Sequence, residues 1–562
     1  MAISKRKAWC NNEVAYITWE IDERIDGLLG FMIVRLHQDG EKRLLPTWVA
    51  FKGQSNPKWQ PQDTSVWPVQ KFEWRDLTLR RSRDKTSARA PFTCRYQIWP
   101  VGLQAEGRKS VAAWRTENPD VFSSFNRENF TGQDVPLYLC GDPAETNDVT
   151  PRLDFKDFKV AFTNGILSTQ NLRQQLNTPE GKAPNAALLR DQHTKVPGDN
   201  IRQFLSGDVL PTITGFFDNF AADDQAYAAL YELTDEELIG KLTGLGHRLH
   251  LILSTAGDAT KTNPAWDTEN HKARETLHGT AGEMIDRLFN TTSRIGHNKF
   301  VVQVGADGKA KAVLTGSTNF TDTGLCTQSN NAIISTSADL ANAYLEYWQR
   351  LKADTATFPT QKDTSLPNHN VQQHALRDAN SHAYLAPDVL APTSVRLWCS
   401  PNTAATSKTK TSPTPADLTD VFALMRAAKQ AILFLTFMPS PEGSQSIVEM
   451  AVELGKEDSD LLVLGAISSP LAMPNYVPST PGGPKLPAPA VFSPEGAPKV
   501  LTIRAAAIGA HYGDFEPELL SAGFAIIHDK IVVIDPFSAN CAVITGSHNL
   551  GFKASLLICT EK

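Results

Sequence analysis

Two histidines and two lysines recur in one frame along this chain. His297-x-Lys299 is followed by Gly316-Ser317-x-Asn319, and His528-x-Lys530 by Asp535 and then Gly546-Ser547-x-Asn549. The two copies differ by a single residue in the distance from His to Ser. On a strand, residues two apart point to the same face, so each His shares a face with its Lys. Apolar runs follow both pairs, "FVVQV" and "IVVI", and bury those strands. A second apolar run leads into each Gly-Ser-x-Asn and reads as a hairpin partner that carries the Asn to the same pocket. Two such copies packed face to face give one site with two His, two Lys and two Asn.

That inventory suits a phosphodiester. Lys299 and Lys530 place fixed positive charge on non-bridging oxygens. The amides of Asn319 and Asn549 and the hydroxyls of Ser317 and Ser547, on the Gly316 and Gly546 turns, donate hydrogen bonds to the substrate as phosphorus becomes trigonal bipyramidal. One neutral His attacks phosphorus, and the other, protonated, gives its proton to the leaving oxygen. The lysines supply the charge a metal would otherwise bring, so the chemistry needs neither metal nor cofactor. No metal-ligand spacing appears elsewhere: His271 and His278 lack the i, i+4 spacing of a helical pair, and they are read with His247 and His250 as structural.

Over roughly residues 136–562 the chain resembles the phospholipase D superfamily, known by tandem His-x-Lys-x4-Asp motifs. The second copy carries the whole motif, His528, Lys530 and Asp535. The resemblance implies that His297 is the nucleophile, that His528 is the general acid, and that two α-β-α halves form a pseudo-dimer around one site. It implies phospholipid cleavage or transfer, metal-independent nuclease activity, or a catalytically silent relative. The phospholipid reading leads, because the chain is acidic overall and a Pro-rich stretch, 470–498, is placed to cap an apolar entrance. The first copy departs from the motif: Val304 stands where the Asp falls, and Asp307, the nearest carboxylate, lies in a turn. The motif Asp reads as a supporting group, so restoring Asp at 304 is expected to be neutral or mildly helpful. After Asn549 the chain holds only "LGFKASLLICTEK", where "LLIC" replaces a strand or the half is cut short. Asn330 or Asn331 reads as the remnant of the polar residue that relatives carry there.

The elements that must mount these groups read as α/β. Strand-like runs at 135–140, 158–164, 248–255 and 298–304 alternate with helical spacing at 223–242 and 269–289, which suggests a mixed fold. Residues 136–353 form one half, 354–393 a linker, and 394–562 a second half that repeats strand and helix. Before them, 1–103 holds short strands such as "EVAYITWEI", and 104–135 is a linker. Trp19, "GFMIVR" and Tyr96-x-Ile98-x-Pro100 make the first segment resemble a small fibronectin type III or immunoglobulin-like β-sandwich, a module that binds a protein or surface partner. Lys408 and Lys410, in a Ser/Thr-rich loop, read as solvated.

Composition bounds the rest. The chain has 562 residues, 41% of them hydrophobic, and a net charge of −6. That balance argues against a protein held to nucleic acid by its bulk charge. No apolar run approaches the roughly 18 residues of a membrane-spanning helix. The basic start has no apolar core behind it, so it does not read as a signal peptide. Seven scattered cysteines without a Cys-x-x-Cys pair fit reduced thiols and a cytoplasmic setting.

Overall fold

The alternation in the first strands predicts one buried face. In the computed structural model Ala15, Ile17 and Trp19 of the Ala15–Ile21 strand turn inward. The structure describes residues 3–56, 62–80, 91–123, 131–165, 190–254, 267, 269–287, 295–356, 374–390, 393–404, 412–439, 446–476, 489–504, 526–536 and 538–557. The chain divides into two units, Met1–Phe155 and Lys156–Lys562. No helix among the described residues is long and apolar enough to cross a membrane.

In the first unit, Ile3–Cys10, Ala15–Ile21 and Glu73–Asp76 form a three-stranded sheet. A second sheet is ordered Tyr138–Leu139, Cys94–Gly102, Leu28–His37, Lys42–Leu44, Val121–Phe122, with Ala144–Glu145 also paired to Cys94–Gly102. One core joins Ile17 and Trp19 of the first sheet to Phe31, Ile33, Tyr96 and Ile98 of the second. On the far face of the second sheet, Met32, Val34 and Val101 pack with Val111 and Trp114 of the helix Val111–Glu117. This unit is larger than the 1–103 module expected. Within 104–135, expected as a linker, the described residues include the helix Val111–Glu117 and the strand Val121–Phe122, which pairs with Lys42–Leu44. The run at 135–140, read as the first strand of an α/β half, pairs instead with Val101 and Gly102.

The second unit is mixed α/β. Within it one sheet runs Phe158–Phe162, Asn331–Ser335, Ala310–Gly316, Lys299–Val304, Gln225–Leu230, Leu249–Ser254, Glu283–Arg287. A six-stranded sheet runs Val491–Phe492, Val500–Arg504, Leu462–Ile467, Ala431–Thr436, Ile531–Ile534, Ala542–Ile544. Their centres match strand for strand. Each has three parallel strands, then the strand that follows His-x-Lys antiparallel to them, then its hairpin partner. Register fixes the correspondence: Leu230 sits opposite Lys299, and Leu435 opposite Ile531.

Several local readings change. Residues 223–242 are not one helix: Gln225–Leu230 is a central strand, and the helix is Glu236–Leu245, started by the Asp235 side chain on Leu238 N. Flanked on both sides by strands, "QAYAAL" is buried at Ala226 and from Ala228 to Leu230, with Gln225 and Tyr227 partly covered, so its alternation is too short to stand out from a helical spacing. Likewise 269–289 splits into the helix His271–His278 and the strand Glu283–Arg287. The expected linker 354–393 contains the helix His374–Ala379 and the strand Tyr384–Leu390, which pairs with Thr393–Leu397. Of the "LLIC" run, where a strand or a shortened half was expected, the structure describes Leu556 and Leu557, and these are helical. Phe552–Leu557 is helical and follows Asn549 as the helix Asp322–Cys326 follows Asn319.

The two sheets differ in their cover. Phe300, Val302, Val304 and Val313 of the first are packed under Tyr344, Tyr347, Trp348 and Leu351 of the helix Ala338–Ala356. Val533, the register equivalent of Val302, shares its face with the exposed Leu435, Leu464 and Val543.

Candidate active site

Each site histidine stands just before a strand edge, with its lysine behind it. Lys299 Nζ donates to the His297 carbonyl at 3.1 Å, and Lys530 Nζ donates likewise to His528 O. Ladder pairing of the strands that follow holds both side chains rigidly. The two imidazole centroids are 6.2 Å apart, and all four side chains are at most 4% exposed. The short parallel pairing of Gln328–Ser329 with Ile526–Ile527 joins the two sheets' domains directly before His528.

Each ring is oriented from the other half. His297 Nδ1 donates to the Ser547 carbonyl at 3.1 Å. His528 Nδ1 donates to Asn330 Oδ1 at 2.8 Å, and the Ser317 carbonyl faces the same ring. A carbonyl or amide oxygen only accepts, so Nδ1 carries the proton in both rings and Nε2 keeps its lone pair. Asn330 is itself fixed, since its Nδ2 donates to Gly324 O at 2.8 Å.

The glycines serve the scaffold. Gly316 has φ +134°, and a Cβ there would stand 2.5 Å from Asn331 O, so only glycine lets the two strands approach. Gly546 repeats the positive φ at +145°. Ser317 Oγ donates to Asn330 Oδ1 at 2.9 Å and accepts from Asn331 N at 3.0 Å. Its hydroxyl is therefore engaged in the framework rather than held out for a substrate. Ser547 is fully buried and contributes its carbonyl to His297.

Asn319 and Asn549 occupy equivalent places, each with a buried Oδ1 that has no hydrogen-bond partner among the described residues. Asn319 Nδ2 donates to the Glu232 carboxylate. Asp535 is turned away from the histidines. Its carboxylate accepts from the backbone N–H groups of Lys429, Gln430 and Ala431 at 2.7–3.0 Å, bracing the turn that enters Ala431–Thr436. Burial raises that carboxyl, but the three N–H groups outweigh it and hold it below the usual range. Val304 is packed among apolar side chains in the core of its sheet, where an acid would be buried in apolar surroundings. Asp307 lies exposed in the hairpin turn, accepting from Lys309 N.

Sequence reasoning passed over four contributors. Tyr231 and Phe437 end the central strands, with rings 5.0 and 5.2 Å from His297 and His528 and 5.3 and 5.5 Å from the Lys299 and Lys530 ammoniums. The signal was present as an aromatic at the same offset after each central strand. Asp529, between His528 and Lys530, points to the other face and accepts from Asn331 Nδ2 at 2.8 Å, tying the halves together. Glu232 follows Tyr231. Lys408 and Lys410, and 477–488 of the Pro-rich stretch, lie outside the described residues.

Electrostatics set the resting state. Burial, then Lys299 and Lys530, hold His297 well below the ordinary imidazole range; burial, then Lys530 and Lys299, do the same for His528. Lys530 is lowered by burial and by Lys299. The Glu232 carboxyl is raised, chiefly by burial and secondarily by Glu269, against the pull of Lys299 and Lys530. The two lysines that depress both rings would be offset by a bound anion. Among the described residues no cluster of three or more His, Cys, Asp or Glu is arranged to hold a metal ion.

No family model matches the chain, and no curated protein matches it. Solved structures are similar at low identity. Phosphatidylserine synthase of Haemophilus influenzae is 13% identical with a TM-score of 0.37, over 70% of this chain and 85% of that one. Nuc, a phospholipase D family member from Salmonella typhimurium, is 19% identical with a TM-score of 0.20, over 26% of this chain and 86% of that one. Polyphosphate kinase of Porphyromonas gingivalis is 9% identical with a TM-score of 0.35, over 65% of this chain, which spans 46% of that one.

Proposed function

We propose that the chain is a phospholipase D-like phosphodiesterase whose two α/β halves form a pseudo-dimer around one site. The observation that carries this reading is the pair of buried imidazoles, 6.2 Å between centroids, each with Nδ1 engaged by the opposite half and a lysine beside it. His297 Nε2 attacks phosphorus, the bond to the leaving oxygen breaks, and His528 donates the proton that oxygen needs. Water then attacks the phosphohistidine, His528 takes its proton, and the P–N bond to His297 breaks. Lys299 and Lys530 neutralise the phosphoryl oxygens, with Asn319 and Asn549 beside them. Asp535 acts as a brace. The substrate proposed first is a phospholipid, supported by the apolar Phe437–Met438 segment next to His528. The Met1–Phe155 unit is proposed to be a fibronectin- or immunoglobulin-like partner-binding module.

The test is hydrolysis of bis(p-nitrophenyl) phosphate by wild type, His297→Ala and His528→Ala, with and without chelator. Chelator-resistant steady-state turnover that is lost in both variants supports the reading. Turnover that survives in His297→Ala, or that chelator abolishes, overturns it. Comparison of phospholipid with single-stranded and duplex DNA then decides between a lipase and a nuclease.

A further inference from the structure

The site has an internal two-fold correspondence, and it is broken at one position. Leu230 pairs with Lys299 as Thr436 adjoins Lys530, so the residues that follow are equivalent between halves. Tyr231 matches Phe437, and the matched ring contacts to His and Lys confirm the alignment. The next pair is unlike: Glu232 in one half, Met438 in the other. Glu232 is half-buried and hydrogen-bonded to Asn319. Met438 is 48% exposed. The histidines and lysines are more deeply buried than either, and Glu232 stands at the site, bonded to Asn319 and within electrostatic reach of Lys299 and Lys530, while Met438 is one residue from the Phe437 ring against His528.

We infer that Glu232 is a specificity-determining residue that accepts a hydrogen bond from a hydroxyl or ammonium group on one ester substituent, while Met438 faces an apolar substituent. The inference rests on the phosphodiester reading above and deepens it. An acid beside an anion-binding site repels the phosphate unless the ligand brings a donor to it, and the Asn319 amide occupies only part of the acceptor capacity of the carboxyl. A carboxyl that only offset Lys299 and Lys530 would need no particular substituent. Because the two walls differ, a diester with one donor-bearing and one apolar arm enters in one orientation. That orientation decides which oxygen lies beside which histidine.

The experiment is calorimetric binding of methyl 2-hydroxyethyl, methyl 2-aminoethyl and methyl n-propyl phosphate to the full chain, which reads affinity without needing turnover. Wild type is expected to bind at least one donor-bearing ester about 10-fold tighter than the propyl ester, the scale of one charge-assisted hydrogen bond. Glu232→Met is expected to bring all three within about twofold of one another, with the propyl ester bound tighter than by wild type because the repulsion is gone. Glu232→Ala repeats the measurement with a smaller side chain, and thermal melts report folding of both variants. Glu232→Gln separates the two sources of the donor: it keeps a preference for the hydroxyl and loses one for the ammonium. Equal or absent binding of the three esters by wild type overturns the inference. So does a preference that survives in Glu232→Met and Glu232→Ala, or a loss that is equal for all three. Failure of the parent reading shows separately, as absent turnover of bis(p-nitrophenyl) phosphate or turnover indifferent to His297→Ala.

Discussion

Asn330 Oδ1 accepts the Nδ1 proton of His528 across the junction between the two halves, at 2.8 Å. His297 receives the Ser547 carbonyl in the corresponding place. One ring is thus oriented by a side chain and the other by the backbone, so only one of the two supports can be altered by substitution without rebuilding a turn.

Asn330→Ala is expected to lower kcat by about 10- to 100-fold, by freeing the His528 tautomer and ring orientation, with KM little changed. Asn330→Asp places a carboxylate against Nδ1 and raises the His528 pKa. The limb of the pH–rate profile that reports the general acid should then move to higher pH. An unmoved limb in Asn330→Asp argues that His528 is not the acid.

The order of the two histidines is open to a burst experiment. p-Nitrophenolate leaves without protonation, so His528→Ala should still release about one equivalent from a p-nitrophenyl diester and then stall as phosphohistidine. His297→Ala should give no burst. A burst in His297→Ala with none in His528→Ala would reverse the assignment.

Both rings rest below their ordinary range because of burial and the neighbouring lysines. A bound phosphodiester anion raises one of them, so binding takes up a proton and affinity rises as pH falls through the bound-state pKa. Calorimetry in buffers of different ionisation enthalpy should show net uptake in the range of about pH 5 to 7. Zero uptake across that range would mean that no ring becomes an acid on binding. In the free protein the sign is opposite for stability. The unfolded rings protonate near pH 6.5, about the value for free imidazole, while the native rings stay neutral, so stability falls as pH drops below that point. Replacing both histidines by Gln should flatten this slope in urea titrations.

Val304→Asp is expected to cost about 2–4 kcal/mol in urea unfolding, since the position lies in the core with Phe300, Val313 and Leu340. This reverses the expectation drawn from the motif alone. Asp535 is tolerated because three backbone N–H groups meet it, whereas Val304 packs among apolar side chains. A neutral Val304→Asp would show that this strand edge opens readily to water.

How much of this was legible depended on period and repetition. His297, Lys299, His528 and Lys530 could be placed on shared faces because strand geometry alternates and the pattern occurs twice. Asn330 was visible as a remnant, though not its partner His528, because the contact spans the halves. Gln225–Leu230 was misread because its last three residues are all buried and its alternation covers only the first three, and Tyr231 and Glu232 were missed along with it. The Ser317 hydroxyl was assigned to substrate on residue type alone, whereas strand crowding at Gly316 turns it into the framework. Residues 104–135 looked like a linker because Val111, Trp114 and Val121 pack on a sheet whose far face the sequence does not announce.

The parallel pairing of Ser329 with Ile527, directly before His528, bears on the birth of the protein. A chain leaves the ribosome N-terminus first, and contacts between distant segments form late. When the first half has emerged, His297 has its strand and its lysine, but the Ser547 carbonyl that fixes its tautomer has yet to be synthesised. The nascent chain therefore carries His297, the nucleophile proposed above, mounted but unaimed. The orientation of His297 arrives only with the second half.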